Sequence, residues 1–328
     1  MRRRDFIKII AGSGLAWPLS ADAQQGERVR RIGVLFGQAA NDEGQARTMA
    51  LTQALKNLGW INGRNVQIDI RWGAGNADEI RRYASELVAL KPDVIIASGS
   101  PAVASLLQAT NSVPIVFVLV PDPVGAGHVD SLAHPGGNAT GFTIFEYSIG
   151  AKWLELLKEI SPDTKRVAVL RDAAIAAGAG QFGAIQSSAP TFRVELSPIN
   201  VRDTGEIERA VAAFARLPEG GLIVTGSSLA AVHRDLIVGL AARHNLPTIY
   251  YERFFVAAGG LVSYGPDLLE QHRAAASYVD RILKGEKPGD LPVQAPTKYQ
   301  LAINLKTAKQ LGLSVSPTLL ARADDVIE

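Results

Sequence analysis

The stretch from Asp93 to His128, DVIIASGSPAVASLLQATNSVPIVFVLVPDPVGAGH, decides the fold. Residues 93–97 form an apolar run of strand length, and a short polar turn follows them. Ser100 is a favourable N-cap and Pro101 suits the first helical position, so the sequence predicts a short helix after this turn. A β-branched run at 115–120 predicts the next strand. A loop of this kind, at the carboxyl end of a parallel strand, is where open α/β sheets bind ligands.

The same pattern returns about 130 residues later. Residues 221–225 (GLIVT) predict a strand, and a Gly-Ser-Ser turn follows them. Residues 229–244 predict one long helix, which ends at an Asn-Leu-Pro break, and residues 248–251 predict the next strand. Two such units indicate two similar lobes.

The order of predicted elements sets the fold class and the lobe boundaries. The first half alternates strand and helix, which indicates a parallel sheet with helical crossovers. We therefore expect an α/β protein of two Rossmann-like lobes with parallel sheets, joined by a hinge. Lobe one is predicted to comprise residues 29–142 plus about 260–285, including a strand at 261–264. Lobe two is predicted at 143–259, and the C-terminal segment 286–328 is expected to pack across the lobes.

The first 23 residues have the features of a signal peptide. The charged start MRRRDFIK precedes a moderately apolar segment, and Ala21-Asp22-Ala23 resembles a cleavage site. The Arg3-Arg4 pair resembles the twin-arginine export consensus, although general secretion remains open. The chain contains no cysteine, which excludes a lipid-modified N-terminus, and no later apolar run is long enough to span a membrane. These features predict a periplasmic protein without a lipid anchor.

Composition and motifs favour a binding protein over an enzyme. The net charge is +2 and the basic residues are scattered, so no nucleic-acid partner is expected. The sequence has no zinc-protease, nucleotide-triphosphate or serine-hydrolase signature, and its five histidines are dispersed. We therefore predict no catalytic residue, no metal and no cofactor, and we expect a monomer that binds a small molecule.

One glycine pattern leaves an enzymatic alternative open. Gly178, Gly180 and Gly183 match G-x-G-x-x-G, and Asp203 lies 20 residues after the last glycine. That spacing is typical of a dinucleotide-binding loop, but the glycines do not directly follow their strand. A small-residue loop beside the cleft, with Asp203 near a helix start, explains the same residues.

The candidate ligand-binding residues lie in loops that follow predicted strands. Arg171 is a candidate partner for a ligand carboxylate, and aromatic residues near the second crossing could stack on a flat ligand. A structural interpretation is equally simple for several of them. In that interpretation, Ser100 serves solely as a helix cap and Asp122 solely shapes a turn. The full set is Gln38, Ser98, Gly99, Ser100, Asp122, Arg171, Asp172, Gly226, Ser227, Ser228, Tyr251, Glu252, Tyr264 and Asp267.

Several stretches resemble the substrate-binding proteins of ABC transporters, in the branch with a type I periplasmic-binding-protein fold that includes aromatic amino-acid binders. They are ASGSPA (97–102), VPDPVGAG (120–127), HPGGNATGFT (134–143), LPTIYYERFFVAAGGLVSYGPD (246–267), YVDRILKGEKPGDLPVQAPTKYQLAINLKTAKQLGL (278–313) and LLARADDVIE (319–328). The resemblance implies capture of a ligand, such as an amino acid or another carboxylate, between two lobes. It also implies delivery to an ABC permease in the inner membrane. A periplasmic sensor that acts on a membrane receptor is the other alternative.

Overall fold

The computed structural model describes residues 28–144 and 146–328. The predicted signal peptide at 1–23 lies outside the described residues. The strands are β1 (Arg30–Phe36), β2 (Val66–Trp72), β3 (Val94–Ser98), β4 (Ile115–Val120), β5 (Ala139–Thr143), β6 (Arg166–Arg171), β7 (Glu195–Asn200), β8 (Gly220–Val224), β9 (Thr248–Tyr250), β10 (Val262–Pro266), β11 (Tyr299–Asn304) and β12 (Asp325–Ile327). The helices are α1 (Asp42–Asn57), α2 (Ala77–Ala89), α3 (Ser100–Ala109), α4 (Ile149–Ile160), α5 (Ala176–Phe192), α6 (Thr204–Phe214), α7 (Ser228–Val232), α8 (Arg234–Arg243), α9 (Arg253–Ala257), α10 (Leu268–Leu283), α11 (Leu305–Gln310) and α12 (Pro317–Ala321).

Two sheets define the two lobes and confirm the predicted fold class. Lobe one holds a parallel five-stranded sheet in the order β2-β1-β3-β4-β5. Lobe two holds a seven-stranded sheet in the order β12-β11-β10-β9-β8-β6-β7, in which only the β10–β11 pair is antiparallel. In each lobe the chain order reverses beside the first strand, between β1 and β3 and between β6 and β8. Such a reversal opens a crevice at the carboxyl ends of the strands.

The strand at 262–266 belongs to lobe two, and its predicted position in lobe one is wrong. Val262 and Ser263 pair in parallel with β9, and the whole strand pairs antiparallel with β11. Without β10, β9 would be the edge of the lobe-two sheet, and β10 occupies the hydrogen-bonding groups along that edge. β10 therefore extends the lobe-two sheet, to which the preceding strand β9 belongs.

Three crossings connect the lobes. The first follows β5, and the second separates β10 from α10, which returns to lobe one and packs on α1 and β4. The chain then runs beside β5, where the amide of Gln294 donates to the carbonyl of Gly141, before it crosses again to β11. Gln271 of α10 connects this helix to β4 and β5. Its side chain accepts a hydrogen bond from the amide of Leu119 and donates one to the carbonyl of Thr143.

Local chain geometry differs from the sequence expectation in several elements. Ser100 is the first residue of α3 rather than its N-cap, because Gly99 takes the capping position with a φ of +92°. The expected single helix at 229–244 is divided into α7 and α8 at His233. β7 begins only at Glu195, because α5 continues to Phe192.

A buried aromatic stack fills the space between α10 and the sheet of lobe one. The rings of Phe36 and Trp72 stack with centroids 3.9 Å apart, and the His272 ring lies 6.0 Å from Phe36. The His272 ring is fully buried, with Nδ1 2.8 Å from the carbonyl of Leu268. Burial, and secondarily the charge of Arg47, lowers the pKa of His272 to about 3.

This depressed pKa predicts a loss of stability in mild acid. The unfolded chain binds a proton at His272 below about pH 6.5, whereas the folded protein resists protonation down to about pH 3. The contribution of the neutral His272 ring to the free energy of unfolding is therefore complete above pH 6.5. It falls by about 1.4 kcal/mol per pH unit as the pH decreases below that value. We expect the His272→Leu variant to lose this part of the slope in urea unfolding measured between pH 7 and pH 4.

The exposed His134 provides the matched control. The His134→Gln variant should keep the pH slope of the parent protein. A His272→Leu variant whose unfolding free energy changes with pH as steeply as that of the parent would contradict the assignment.

Candidate ligand-binding cleft

A cavity lies where the two crevices face each other. About 420 Å³ of space that no atom fills, part of it open to solvent, lies between loops that follow strands of both lobes. Its lining includes residues that follow β1, β3 and β4 in lobe one and residues that follow β6, β8 and β9 in lobe two. These residues are Gln38, Arg47, Ser100, Pro101, Leu119, Pro121, Ile144, Asp172, Ile175, Gly226, Ser227, Ser228, Ala231, Tyr251, Glu252 and Leu268.

The lobes touch directly at one edge of this cavity. The Gln38 side chain accepts from the Ser98 hydroxyl at 3.2 Å and donates to the Ser228 hydroxyl of lobe two at 3.3 Å. A Cβ atom on Gly99 would lie 2.7 Å from the same Ser228 oxygen. Glycine at this position therefore satisfies both a left-handed backbone and a close approach of the two lobes. The structure represents a closed form of the cleft.

The apolar wall of the cavity depends on an irregularity in β4. The register with β5 shifts between Phe117 and Val120, and Leu119 there has a φ of +58°. A branched side chain in this conformation is strained, and such strain persists only when the surroundings hold it. Gln271 supplies that restraint, because its amide oxygen accepts from the Leu119 amide at 3.2 Å. The bulge directs the chain so that Leu119 and Pro121 both line the cavity.

Asp172 is a buried carboxylate on the lobe-two side. It follows β6, is 6% exposed, and accepts a hydrogen bond from the amide of Ala174 at 3.0 Å. Burial raises the pKa of its carboxyl group, and this single backbone hydrogen bond offsets the increase only in part. The carboxylate thus faces the cavity with much of its hydration removed and no cationic side chain paired to it among the described residues.

The loop after β8 is fixed by a side chain that the sequence did not single out. Gln181 of α5 is 1% exposed, and its amide oxygen accepts from the Gly226 amide at 2.9 Å. Its amide nitrogen donates to the Gly226 carbonyl at 3.3 Å. Both backbone groups of a cavity residue are thereby satisfied away from solvent, which holds Ser227 and Ser228 at the cavity.

Arg47 and Glu252 close another side of the cavity. The guanidinium of Arg47 lies 2.6 Å from a carboxylate oxygen of Glu252, and the two side chains are 5% and 11% exposed. Burial raises the pKa of Glu252 to about 7 in spite of the opposing effect of Arg47. Arg47 was not predicted as a site residue, but its spacing from Leu51 and Leu55 places it on the buried face of α1. A charged residue at an apolar position of a helix is the signal that could have identified it.

Eight of the residues singled out in the sequence line the cavity. They are Gln38, Ser100, Asp172, Gly226, Ser227, Ser228, Tyr251 and Glu252. Tyr251 is 4% exposed, and its hydroxyl lies 3.4 Å from the Ser227 carbonyl. Ser98 and Gly99 are placed just behind the lining, where they support Gln38 and the lobe contact.

The structure places four other candidates away from the cavity lining. Asp122 accepts from the Tyr147 hydroxyl at 2.6 Å and from the Gly125 amide at 2.7 Å. The Arg171 guanidinium lies over the Phe182 ring, 5.0 Å from its centroid. Tyr264 stacks on Tyr299, with centroids 5.6 Å apart, and Asp267 caps α10 through the amides of Leu269 and Glu270.

The G-x-G-x-x-G pattern does not form a phosphate-binding loop. All three glycines lie inside α5, where the backbone amides are used within the helix. A Cβ on Gly178 would lie 1.7 Å from the Asp172 carbonyl, and one on Gly180 would lie 2.3 Å from the Tyr147 ring. These two glycines therefore allow α5 to pack closely behind the cavity. Asp203 caps α6 by accepting from the Glu206 amide.

Residues 40–327 match the family model described as ABC transporter substrate binding protein. The chain belongs to that family. A curated relative, the tyrosine-binding protein of Clostridioides difficile, is 27% identical over 80% of this substrate-binding protein and 75% of the relative. A conserved domain protein from Vibrio cholerae has a TM-score of 0.85 at 28% identity, covering 91% of this chain and all of that one.

A second similar structure contains a ligand. It is an ABC domain from Streptococcus pneumoniae in complex with L-Trp, with a TM-score of 0.84 and 25% identity over 91% of this chain and 99% of that chain. Among the described residues, no helix of this substrate-binding protein combines the length and apolarity that a membrane crossing requires. The family match and these similar structures confirm the predicted family and the type I periplasmic-binding-protein fold.

The Gln181 clamp predicts a measurable cost of substitution. The Gln181→Met variant keeps the length of the side chain but leaves the buried amide and carbonyl of Gly226 without their partner. We expect the free energy of unfolding in urea to fall by about 2 kcal/mol, the cost of unsatisfied buried polar groups.

Gln186 of the same helix is exposed and serves as the control. Gln186→Met should change stability by less than about 0.5 kcal/mol. Equal stability of the two variants would show that the clamp does not restrain the loop.

Proposed function

We propose that this substrate-binding protein captures a small zwitterion, most simply an amino acid, between its lobes and delivers it to an ABC permease. The observation that carries the proposal is the buried Asp172 carboxylate at the cavity. Membership of the family supports the transport role. The printed names of two relatives, which refer to tyrosine binding and to a complex with L-Trp, support an amino acid as ligand.

The charges of the cavity wall favour a cationic group on the ligand. One basic side chain, Arg47, and two acidic side chains, Asp172 and Glu252, line the cavity. Arg47 and Glu252 pair with each other, so Asp172 supplies the charge that lacks a partner in the wall. A ligand ammonium group beside Asp172 would replace the hydration that the carboxylate loses on burial, and such charge-assisted hydrogen bonds are strong.

The opposite wall suits a carboxylate. Ser100 begins α3, a helix of ten residues, and its side chain is at the cavity. Pro101 has no amide hydrogen, and the amides of Ala102 and Val103 donate to the Gly99 carbonyl, so the helix start contributes a partial positive charge rather than free amides. Hydroxyl groups of Ser100, Ser227 and Ser228 supply donors around the same space. Arg171, expected from the sequence to bind a carboxylate, lies over Phe182 instead, so the serine hydroxyl groups are the better candidates for this role.

An apolar surface remains for the ligand side chain. It consists of Pro101, Leu119, Pro121, Ile144, Ile175, Leu268 and the ring of Tyr251. A pocket that combines apolar walls with a few placed polar groups is typical of small-molecule sites. The cavity therefore has separate regions for an ammonium, a carboxylate and an apolar or aromatic side chain.

We place the mature protein in the periplasm. The twin-arginine-like start, the apolar segment and the Ala21-Asp22-Ala23 site support export, and the absence of cysteine argues against lipid anchoring. A soluble binding protein in that compartment can meet its ligand and then its permease.

The ligand class can be tested with the purified mature protein. Isothermal titration against the twenty amino acids should give saturable binding for at least one, with tyrosine and tryptophan as the first probes. The matching amine without the carboxylate, and the matching acid without the amine, should each bind at least tenfold more weakly. Equal binding of the deaminated acid would contradict the zwitterion proposal.

Asp172→Asn separates binding from stability. Loss of the buried charge should weaken amino-acid binding roughly 100-fold, since an unpaired ligand ammonium would then be buried. The same change should leave the ligand-free protein as stable as the parent or more stable, because it removes a desolvated carboxylate. The exposed Asp163→Asn is the control for charge and should bind like the parent. Parent-like affinity of Asp172→Asn would exclude the carboxylate from the ligand site.

Export can be tested by cell fractionation. Replacing Arg3 and Arg4 together by lysine should abolish the periplasmic fraction if the twin-arginine route is used. Continued export of this variant would assign the general secretory route, and cytoplasmic retention of the unmodified chain would contradict export.

A further inference from the structure

Two ion pairs join the lobes along one helix. Glu43 and Arg47 lie one turn apart on α1 of lobe one. Arg47 pairs with Glu252 of lobe two at 2.6 Å, and Glu43 pairs with Arg234 at the start of α8. The charges therefore alternate on both sides of the interface, so each lobe presents one acid and one base to the other.

An aromatic ring lies between the two pairs. The guanidinium groups of Arg47 and Arg234 are 5.9 Å and 5.6 Å from the centroid of Phe254, which follows Glu252 in lobe two. Cation–π contacts of this kind strengthen when water is excluded. The side chains of the outer pair, Arg234 and Glu43, are 22% and 28% exposed, so this pair is also partly shielded from solvent.

The members of each pair are anchored in different lobes. Leu51 and Leu55 fix α1 in the core beside the sheet of lobe one, and Glu252 follows β9 in the sheet of lobe two. Rotation of one lobe away from the other must therefore separate both pairs. The contacts exist only when the cleft is closed, so any net stabilisation that they provide favours the closed form.

We propose that Glu43, Arg47, Arg234, Glu252 and Phe254 form a latch that stabilises the closed cleft and slows release of the ligand. The proposal rests on the proposed function, in which the cleft closes over a solute. A ligand that requires the closed form binds more tightly when that form is more populated. Residues of the latch thus act as positioning residues for binding.

The outer pair allows the latch to be tested apart from ligand contact. Glu43 and Arg234 do not line the ligand cavity, whereas Arg47 and Glu252 do. Glu43→Lys would place a cation opposite Arg234 and beside Arg47, which should repel lobe two. Adding Arg234→Glu restores an opposite-charge pair across the interface and should reverse much of the effect.

The distance between the lobes is the direct readout. The chain contains no cysteine, so spin labels can be attached at Lys56→Cys in lobe one and Glu208→Cys in lobe two, both exposed positions. Pulsed electron paramagnetic resonance should show a shift towards longer distances in Glu43→Lys and a return towards the parent distribution in Glu43→Lys/Arg234→Glu. Glu79→Lys, which breaks an ion pair with Arg82 inside α2, is the matched control and should show no shift.

Ligand kinetics provide the second readout. L-tyrosine and L-tryptophan are the ligand probes. The distance experiment is also carried out with and without a saturating concentration of each probe. We expect Glu43→Lys to release a bound probe about five- to tenfold faster than the parent, and the double variant to recover to within about threefold. If neither probe binds but Glu43→Lys still opens the ligand-free protein, the latch stands and the amino-acid proposal fails. Distance distributions identical to the parent under all conditions would overturn the latch.

Discussion

The close approach of two strand-end loops is the constraint on which the rest of the cleft depends. Gly99 of lobe one lies against Ser228 of lobe two so closely that a Cβ atom would meet the hydroxyl at 2.7 Å. That contact is possible because each loop follows a strand at the reversal point of its own sheet, where neighbouring helices diverge. Two crevices brought together in this way enclose one cavity. Ser100 at the start of α3 and the buried carboxylate of Asp172 then line the same space from opposite lobes.

Much of this arrangement could be predicted because it follows from local rules. Apolar runs, glycine-serine turns and prolines after helices located the strands and the loops at their carboxyl ends, and eight of the fourteen candidate residues line the cavity. The strand pattern could not predict the sheet that β10 joins, since its largely buried residues would fit the edge of either lobe's sheet. The small-residue loop expected at Gly178, Gly180 and Gly183 is helical instead, because Gly178 and Gly180 allow α5 to pack against Asp172 and Tyr147.

The residues that sequence reasoning misplaced share a physical cause. Arg171, Tyr264 and Asp267 have side chains whose chemistry suits a ligand, but each finds a partner within its own surroundings: an aromatic ring, a second tyrosine, or the amides of a helix start. The direction of a side chain at a strand end depends on such contacts, which spacing alone does not determine. Arg47 and Gln181 were overlooked for the opposite reason. Their positions on the buried faces of helices identify them only once the elements that those faces cover are known.

The distribution of charge separates recognition from closure. Within the latch, acids and bases balance across the interface, so closing the lobes buries little net charge. Asp172 is different, because its charge is balanced by no side chain of the cavity wall and burial raises its pKa. Closure over an empty cavity therefore leaves one desolvated carboxylate, whereas closure over a ligand with an ammonium group compensates it. In the proposed function, the latch would favour the closed form whatever the cavity contains, and Asp172 would make that form selective for an occupied site. A binding protein needs both effects, since its ligand changes the population of the closed state only through a difference in affinity between the two states.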